Sequence, residues 1–157
     1  YGNYTGTESY IILPKEKPDG YQIVNQNVIG VATNGDYLTS CQNMFNNNTS
    51  SSLELDYLDT SNVTNMRSMF NGSQATTLDL RSFDTSNVTN MQGMFYGSQA
   101  TTLDLSSFDT SNVTTVSGMF YNSQATTGYA RTQADADRFN NSSNKPERLT
   151  FVVKPPA

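Results

Sequence analysis

The sequence predicts an α/β solenoid of about four coils, in which each 25-residue coil contributes a short strand and a short helix. Residues 83–91, FDTSNVTNM, recur almost unchanged 25 positions earlier and 25 positions later. Each copy follows a leucine–acid–leucine triplet and precedes a Met-Phe pair. A short fixed period is typical of solenoids, because one repeat cannot bury its apolar face alone and stacked repeats can.

Two apolar periods within the repeat predict its elements. The Leu-Asp-Leu triplets at 78–80 and 103–105 alternate with period two, which indicates a strand with one buried face. Val88, Met91, Met94 and Phe95 then mark one face of a helix. Between them Asp-Thr-Ser-Asn favours a turn and a helix N-cap. A strand on one side and a helix on the other is the arrangement of a leucine-rich repeat, and we expect a right-handed solenoid.

An altered first coil precedes the clear copies. Met44 and Phe45 align with the next Met-Phe pair, Cys41 takes a buried column, and Val28 aligns with Leu53. The repeats therefore span 28–127. Residues 1–27 are predicted to form an N-terminal cap, a hairpin of strands at 10–13 and 21–24.

The other end is also predicted to be atypical, as solenoid ends are. Residues 128–154 form a C-terminal cap, with a helix from Thr132 to Phe139 and a strand at 149–153. Residues 155–157 begin a linker that contains two prolines. We expect all of these parts to form one structural domain.

Composition narrows the function. The chain has no histidine, which excludes Ser-His-Asp and Cys-His catalysis, and it has no phosphate-binding glycine loop. We expect a monomer that is not an enzyme and needs no cofactor. The net charge of −5 lies wholly within residues 53–127, where seven acids face two bases, so nucleic acid is an unfavourable partner. No apolar run approaches the length of about 20 residues that spans a membrane, so no membrane insertion is expected.

The unit FDTSNVTNM, preceded by Leu-Asp-Leu and followed by Met-Phe, resembles the BspA-like leucine-rich repeat over residues 28–127. That family occurs in mycoplasmas, lactic acid bacteria, enterococci and Listeria, and residues 128–154 resemble the end module of its lactobacillus-type members. The resemblance implies a secreted, wall-attached surface protein, and some members are described as adhesins for matrix proteins or mucus. Many family repeats carry cysteine in one column that here holds Ser73, Ser98 and Ser123.

An acidic strand face is the first candidate binding site. If Leu78 and Leu80 point inward, their neighbours on the strand point outward. Like charges one strand apart repel, which would raise the pKa of some carboxyls or attract a cation. Such a face could bind a basic protein or Ca²⁺, or it could simply keep the sheet soluble; it lacks the mixed oxygen ligands of a calcium loop, so no metal is assigned. The candidate residues are Glu54, Asp56, Asp79, Arg81 and Asp104.

Tyr96 and Tyr121 form the second candidate site, because they follow the Met-Phe pair on adjacent coils. Paired exposed tyrosines suit sugar stacking or protein anchoring, and the alternative is packing against the C-terminal cap. Other repeated polar residues are interpreted as architecture, namely Asp59, Asp84 and Asp109 at the predicted helix starts, and Asn62, Asn87 and Asn112 in a ladder between coils.

The predicted function is extracellular adhesion at a bacterial cell surface, with an unidentified matrix protein, mucin or glycan as partner. Many weak contacts would be multiplied on the cell. The alternative is a structural spacer that binds nothing. A binder would depart from the repeat consensus at the contact, and Arg67, Arg81, Tyr96 and Tyr121 are such departures.

Overall fold

The computed structural model describes residues 10–12, 22–25, 28–31, 38–56 and 58–156, the first three stretches as backbone. The fold is mixed, with short strands in parallel sheets and one helix in the described part, α1 (Gln133–Asn140). The strands are β1 (Tyr10–Ile12), β2 (Gln22–Asn25), β3 (Val28–Val31), β4 (Ser52–Glu54), β5 (Thr77–Leu78), β6 (Thr102–Leu105), β7 (Thr127–Ala130) and β8 (Thr150–Val153).

Successive repeats lie side by side with a constant offset of one period. Two parallel sheets have the strand orders β1-β4-β5 and β6-β7-β8. Leu53 lies opposite Leu78, and Thr102 lies opposite Thr127. Single parallel bridges also join Ser40 to Asn65, Asn65 to Asn90 and Asn90 to Thr115. This stacking is compatible with a repeat solenoid.

The predicted helix of each coil is wrong. Its place is taken by four turn segments, residues 41–48, 66–73, 91–98 and 116–123, which contain consecutive hydrogen-bonded turns. In the third segment, Gly93, Phe95 and Gly97 donate their N–H groups to the next coil at 3.0, 2.8 and 2.8 Å. The φ angles of Gly93 and Gly97 are +62° and +61°, and each is the third residue of a turn. A helix would use these N–H groups within one segment, whereas here they join two coils.

The apolar spacing nevertheless identified the core correctly. Val88, Met91, Met94 and Phe95 are all fully buried, as are most of their counterparts in the other coils. The phenylalanines of the turn segments stack in a column, with ring centroids 5.5, 5.5 and 6.0 Å apart, which joins Phe45, Phe70, Phe95 and Phe120. Each ring therefore buries its faces against the neighbouring coils, so a coil depends on its neighbours for a core.

The N-terminal strands pair differently from the prediction. The expected hairpin between 10–13 and 21–24 is wrong, because β1 pairs in parallel with β4 and places Ile11 opposite Leu53. Val28 was expected in that position, but it lies in β3, which pairs antiparallel with β2. Only two residues separate β2 from β3, and this short connection favours their mutual pairing.

The C-terminal helix and strand are confirmed as α1 and β8. Thr132 is the N-cap of α1, and its hydroxyl accepts from the N–H of Asp135 at 3.2 Å. In β7, Gly128 replaces the leucine of the other strands, and a Cβ there would lie 2.4 Å from the Phe151 ring. The Phe151 ring thus fills the leucine position and contacts Phe120 at a centroid distance of 4.7 Å.

Candidate functional site

Tyr96 and Tyr121 form an exposed aromatic pair, as their spacing predicted. Their ring centroids are 4.9 Å apart with an interplanar angle of 31°. The side chains are 41% and 42% exposed, although the phenylalanines that precede them in sequence are buried. The two rings therefore offer a joint apolar surface to solvent. We call this surface the tyrosine platform.

The backbone beneath the platform is held by turn and inter-coil hydrogen bonds. Tyr96 and Tyr121 donate their N–H groups to Gly93 and Gly118 within their own turns, both at 3.1 Å. The Tyr96 carbonyl accepts from Gly72 at 2.7 Å, and the Tyr121 carbonyl accepts from Gly97 at 2.8 Å. The backbone positions of both tyrosines are thus fixed relative to each other before any ligand arrives.

Uncharged polar residues surround the platform along the chain. Among the 32 positions of the four turn segments, Arg67 is the single charged residue. After the tyrosines, the amides of Gln99 and Gln124 donate to the carbonyls of Gly97 and Asn122, both at 3.3 Å. These bonds use the amide nitrogens, and they leave the amide oxygens as acceptors at an exposed surface.

The predicted acidic strand face exists, and two of its carboxylates, Asp79 and Asp104, are paired with bases within the chain. Leu78 and Leu80 are buried while Arg81 is exposed, which confirms the predicted alternation. Arg81 contacts Asp79 through an ion pair of 2.5 Å, and Lys154 from beyond β8 contacts Asp104 at 2.5 Å. The side chain of Glu54 lies outside the described residues, and Asp56 is exposed.

The expected rise in pKa is wrong for Asp79 and Asp104. The hydrogen bond from Arg81 lowers the pKa of Asp79. Burial raises the pKa of Asp104, but hydrogen bonds from Lys154 and Ser106 outweigh burial and leave it lowered. Repulsion along the column is therefore outweighed by basic and hydrogen-bonding partners that the strand sequence alone did not reveal.

One aspartate of each repeat lies between the strand and the turn segment and has a local structural role; these residues are Asp59, Asp84 and Asp109. Asp84 accepts from the N–H and the hydroxyl of Ser86 at 2.9 and 2.6 Å. Asp59 makes the same two bonds with Ser61, and Asp109 accepts from the N–H of Ser111. The hydrogen bond to the Ser86 hydroxyl is the main cause that lowers the pKa of Asp84. These carboxylates close turns, without the helix that the sequence suggested.

The predicted asparagine ladder has a different partner. Asn87 donates its amide to the carbonyl of Ser61 at 2.8 Å, and Asn112 donates to Ser86 at 2.7 Å. The amides therefore bind the backbone of the preceding coil and do not bind each other.

A second exposed group was missed by sequence reasoning. Tyr129 lies beside Asp104 in the sheet register, and Val152 lies beside Tyr129. Val152 is 49% exposed and Val153 is 40% exposed. The signal was the interruption of the Leu-Asp-Leu triplet by Gly128-Tyr129-Ala130, which marks a change of surface as well as of core.

Two further properties bear on chemistry. Within the described residues, no group of three or more cysteine, aspartate or glutamate side chains could hold a metal ion. Cys41 is buried, and burial raises the pKa of its thiol to about 12, so it is protonated at neutral pH. The described helix is too short to cross a membrane.

The repeats match a known family. Residues 39–145 match the family described as "Mycoplasma protein of unknown function, DUF285". The chain belongs to the DUF285 family. No curated protein and no solved structure matches the chain. The matched residues include the four turn segments and the tyrosine platform of this DUF285 protein, and most of its C-terminal cap.

Proposed function

We propose that this DUF285 protein is a binding module of a bacterial surface protein, which adheres to a host matrix protein, a mucin or a glycan. The observation that carries the proposal is the tyrosine platform. It lies where the coils disagree in sequence, because Asn46 and Asn71 hold the same column in the earlier coils. The regular columns of the repeat serve the core and the turns, so they leave little surface for recognition.

The platform has the properties of a contact site. Tyrosine is enriched among the residues that dominate binding energy, since its ring is large and rigid and its hydroxyl is polar. The turns fix the backbone of both tyrosines in advance, so binding would order little additional main chain. Several copies of the protein on one cell would add multivalency to a weak single contact.

The finer family assignment belongs to the same proposal. Leucine-rich repeats of the BspA-like type, wound as a right-handed solenoid, are supported by the Leu-Asp-Leu triplets and the 25-residue offset between paired residues. Export and attachment to the cell wall follow from that assignment. The proposal assigns no catalytic role, because the chain contains no histidine and the carboxylates of Asp79 and Asp104 are paired with bases.

The test is an array of host matrix proteins, mucins and glycans, probed with three purified proteins. The parent chain should bind at least one ligand saturably. Y96N/Y121N, which restores the asparagine of the earlier coils, should lose that binding. D79N/D104N is the control, because it changes the acidic strand face and leaves the platform intact. The adhesion proposal fails if the parent binds no member of the array.

A structural spacer is the second candidate function. The ion pairs of Asp79 with Arg81 and of Asp104 with Lys154 favour it, because they leave these two acidic side chains engaged within the chain. A spacer predicts that all three proteins behave alike on the array and show no saturable binding.

A further inference from the structure

We propose that the tyrosine platform binds a neutral sugar ring, as part of an uncharged glycan chain. This inference rests on the proposed binding function and names the ligand class of the same site. A pyranose has an apolar face of C–H groups and a polar rim of hydroxyls. The platform offers an apolar ring surface with a polar rim, so the two surfaces are complementary.

The size of the platform fits such a ligand. Two rings with centroids 4.9 Å apart present an aromatic surface about as long as one sugar ring, and both are about two-fifths exposed. The phenolic hydroxyls of Tyr96 and Tyr121 make no hydrogen bond among the described residues, so they can donate to and accept from a sugar hydroxyl.

The rim chemistry favours hydroxyl groups over charged groups. Next to the platform along each coil lie amides, hydroxyls and glycines, including Gln99 and Gln124 with their accepting oxygens. Such groups form neutral hydrogen bonds that suit a polyol. Arg67 is the single charged residue within the turn segments, and the Arg148 guanidinium that reaches the last segment already donates to the Ser123 carbonyl at 2.6 Å, so a charged peptide would find few partners there.

The overall charge sharpens the choice among glycans. The chain carries a net charge of −5, which repels sialylated and sulfated sugars at long range. A neutral glycan is not repelled by this charge. The platform is therefore expected to prefer the uncharged member of a matched pair of sugars.

The direct test is a titration with neutral oligosaccharides, namely tri- and tetrasaccharides of glucose, galactose and N-acetylglucosamine. Their sialylated or sulfated counterparts are titrated in parallel. Binding can be followed by NMR chemical shifts, because ring stacking moves the resonances of the two tyrosines. We expect saturable shifts of Tyr96 and Tyr121 with at least one neutral sugar and weaker binding of the charged counterpart.

Three variants separate ring stacking from other roles of the tyrosines. Y96F/Y121F keeps both rings and should keep most of the affinity, whereas Y96N/Y121N should lose about tenfold or more. N71Y places a third ring beside Tyr96 in the same column, and it should tighten binding of a tetrasaccharide by about threefold or more. Equal melting temperatures among the variants establish that folding is unchanged.

The outcomes distinguish this inference from the broader proposal. Binding to a mucin that survives enzymatic removal of its glycans, and that Y96N/Y121N abolishes, would overturn the sugar assignment and keep the adhesion proposal. Mucin binding that Y96N/Y121N does not change would overturn the platform as the site. Absence of binding to every sugar, mucin and matrix protein would overturn both.

Discussion

The central coils and the C-terminal cap satisfy the same backbone groups in different ways. The carbonyl of Ser98 accepts from the N–H of Gln124 on the next coil at 2.9 Å. The equivalent carbonyl of Ser123 has no further coil beside it, and it accepts from the guanidinium of Arg148 at 2.6 Å. A side chain of the C-terminal cap thus replaces a backbone group of the missing coil.

At other positions too, a side chain of the C-terminal cap takes the place of a backbone group of a neighbouring coil. In the coils, the Thr85 hydroxyl donates to the carbonyl of Asp109 and accepts from its N–H at 3.0 and 2.8 Å. Thr110, one period later, donates both its N–H and its hydroxyl to the buried carboxylate of Asp135. The Gly118 N–H donates to the Ser143 hydroxyl at 2.9 Å, whereas the N–H of Gly93, one period earlier, donates to the carbonyl of Ser117.

This difference between coils and cap indicates which hydrogen bonds depend on a particular side chain. At the positions of Gly93 and Gln124, a coil closes its hydrogen bonds with backbone groups, which every residue type except proline supplies. The C-terminal cap closes the same bonds with particular side chains, so single substitutions there leave buried groups unsatisfied. It also ends the stack and protects the exposed edge of the last sheet.

The largest expected effect comes from restoring the repeat consensus in the cap. Gly128→Leu would recreate the leucine of the coils, but a Cβ at 128 lies 2.4 Å from the Phe151 ring. Overpacking of this kind should destabilise the protein by about 3 kcal/mol. Urea denaturation of parent and variant would measure it.

The control for that prediction removes the Phe151 ring, which the new leucine side chain would meet. Phe151→Ala alone should destabilise through lost packing, while Gly128→Leu/Phe151→Ala should be more stable than the sum of the two single changes predicts. Strict additivity would show that Phe151 does not fill the leucine position.

The next prediction compares the equivalent threonines Thr85, which bonds to the next coil, and Thr110, which bonds to the C-terminal cap. Thr110→Val removes the hydroxyl that donates to the buried Asp135 carboxylate, and it should cost about 2 kcal/mol. Thr85→Val removes a hydroxyl that bonds to the backbone of the next coil, and it should cost about 1 kcal/mol. Equal losses in urea denaturation would contradict the distinction between coil and cap.

Acid should weaken the cap through Asp135. Burial raises the pKa of this carboxyl, but hydrogen bonds from Thr110, Thr132 and Arg131 outweigh burial and leave it lowered. A lowered folded pKa means that the stabilisation is fully present above the unfolded value of about 3.9 and is lost as the pH falls through the folded value. Asp135→Asn should remove roughly 1.5 kcal/mol of this pH-dependent stability.

The measurement is the free energy of unfolding of parent and Asp135→Asn at neutral pH and near pH 2. The gap between the two proteins should shrink in acid. Asp79, Asp84, Asp104 and Asp109 also have lowered pKa values, but they are present in both proteins and cancel in the comparison. A gap that is constant with pH would show that the Asp135 charge does not support the cap.

The sequence predicted the coil stack and its core because the 25-residue period constrains both. It failed on the secondary structure of residues 88–95, since a run of eight residues with four buried positions fits a helix and a series of turns equally well. The glycines at 93 and 97 were the available clue, because both adopt positive φ. Of the candidate site, the Tyr96–Tyr121 contact follows from the period. The pairing of Asp104 with Lys154 does not, because it joins residues 50 positions apart.

The smallest effect concerns the outer edge of β8. The Asn140 amide donates to the carbonyl of Phe151 and accepts from its N–H, both at 2.9 Å, as a neighbouring strand would. Asn140→Ala should cost about 1 kcal/mol, because water can replace part of the bonding at an edge. It should also expose the edge and favour self-association, which analytical ultracentrifugation would detect. Asn87→Ala, in the coils, removes one exposed amide bond to Ser61 and should remain monomeric with a smaller loss. If both variants stay monomeric at high concentration, Asn140 does not protect the edge, and exposed Val152 and Val153 tolerate solvent without its help.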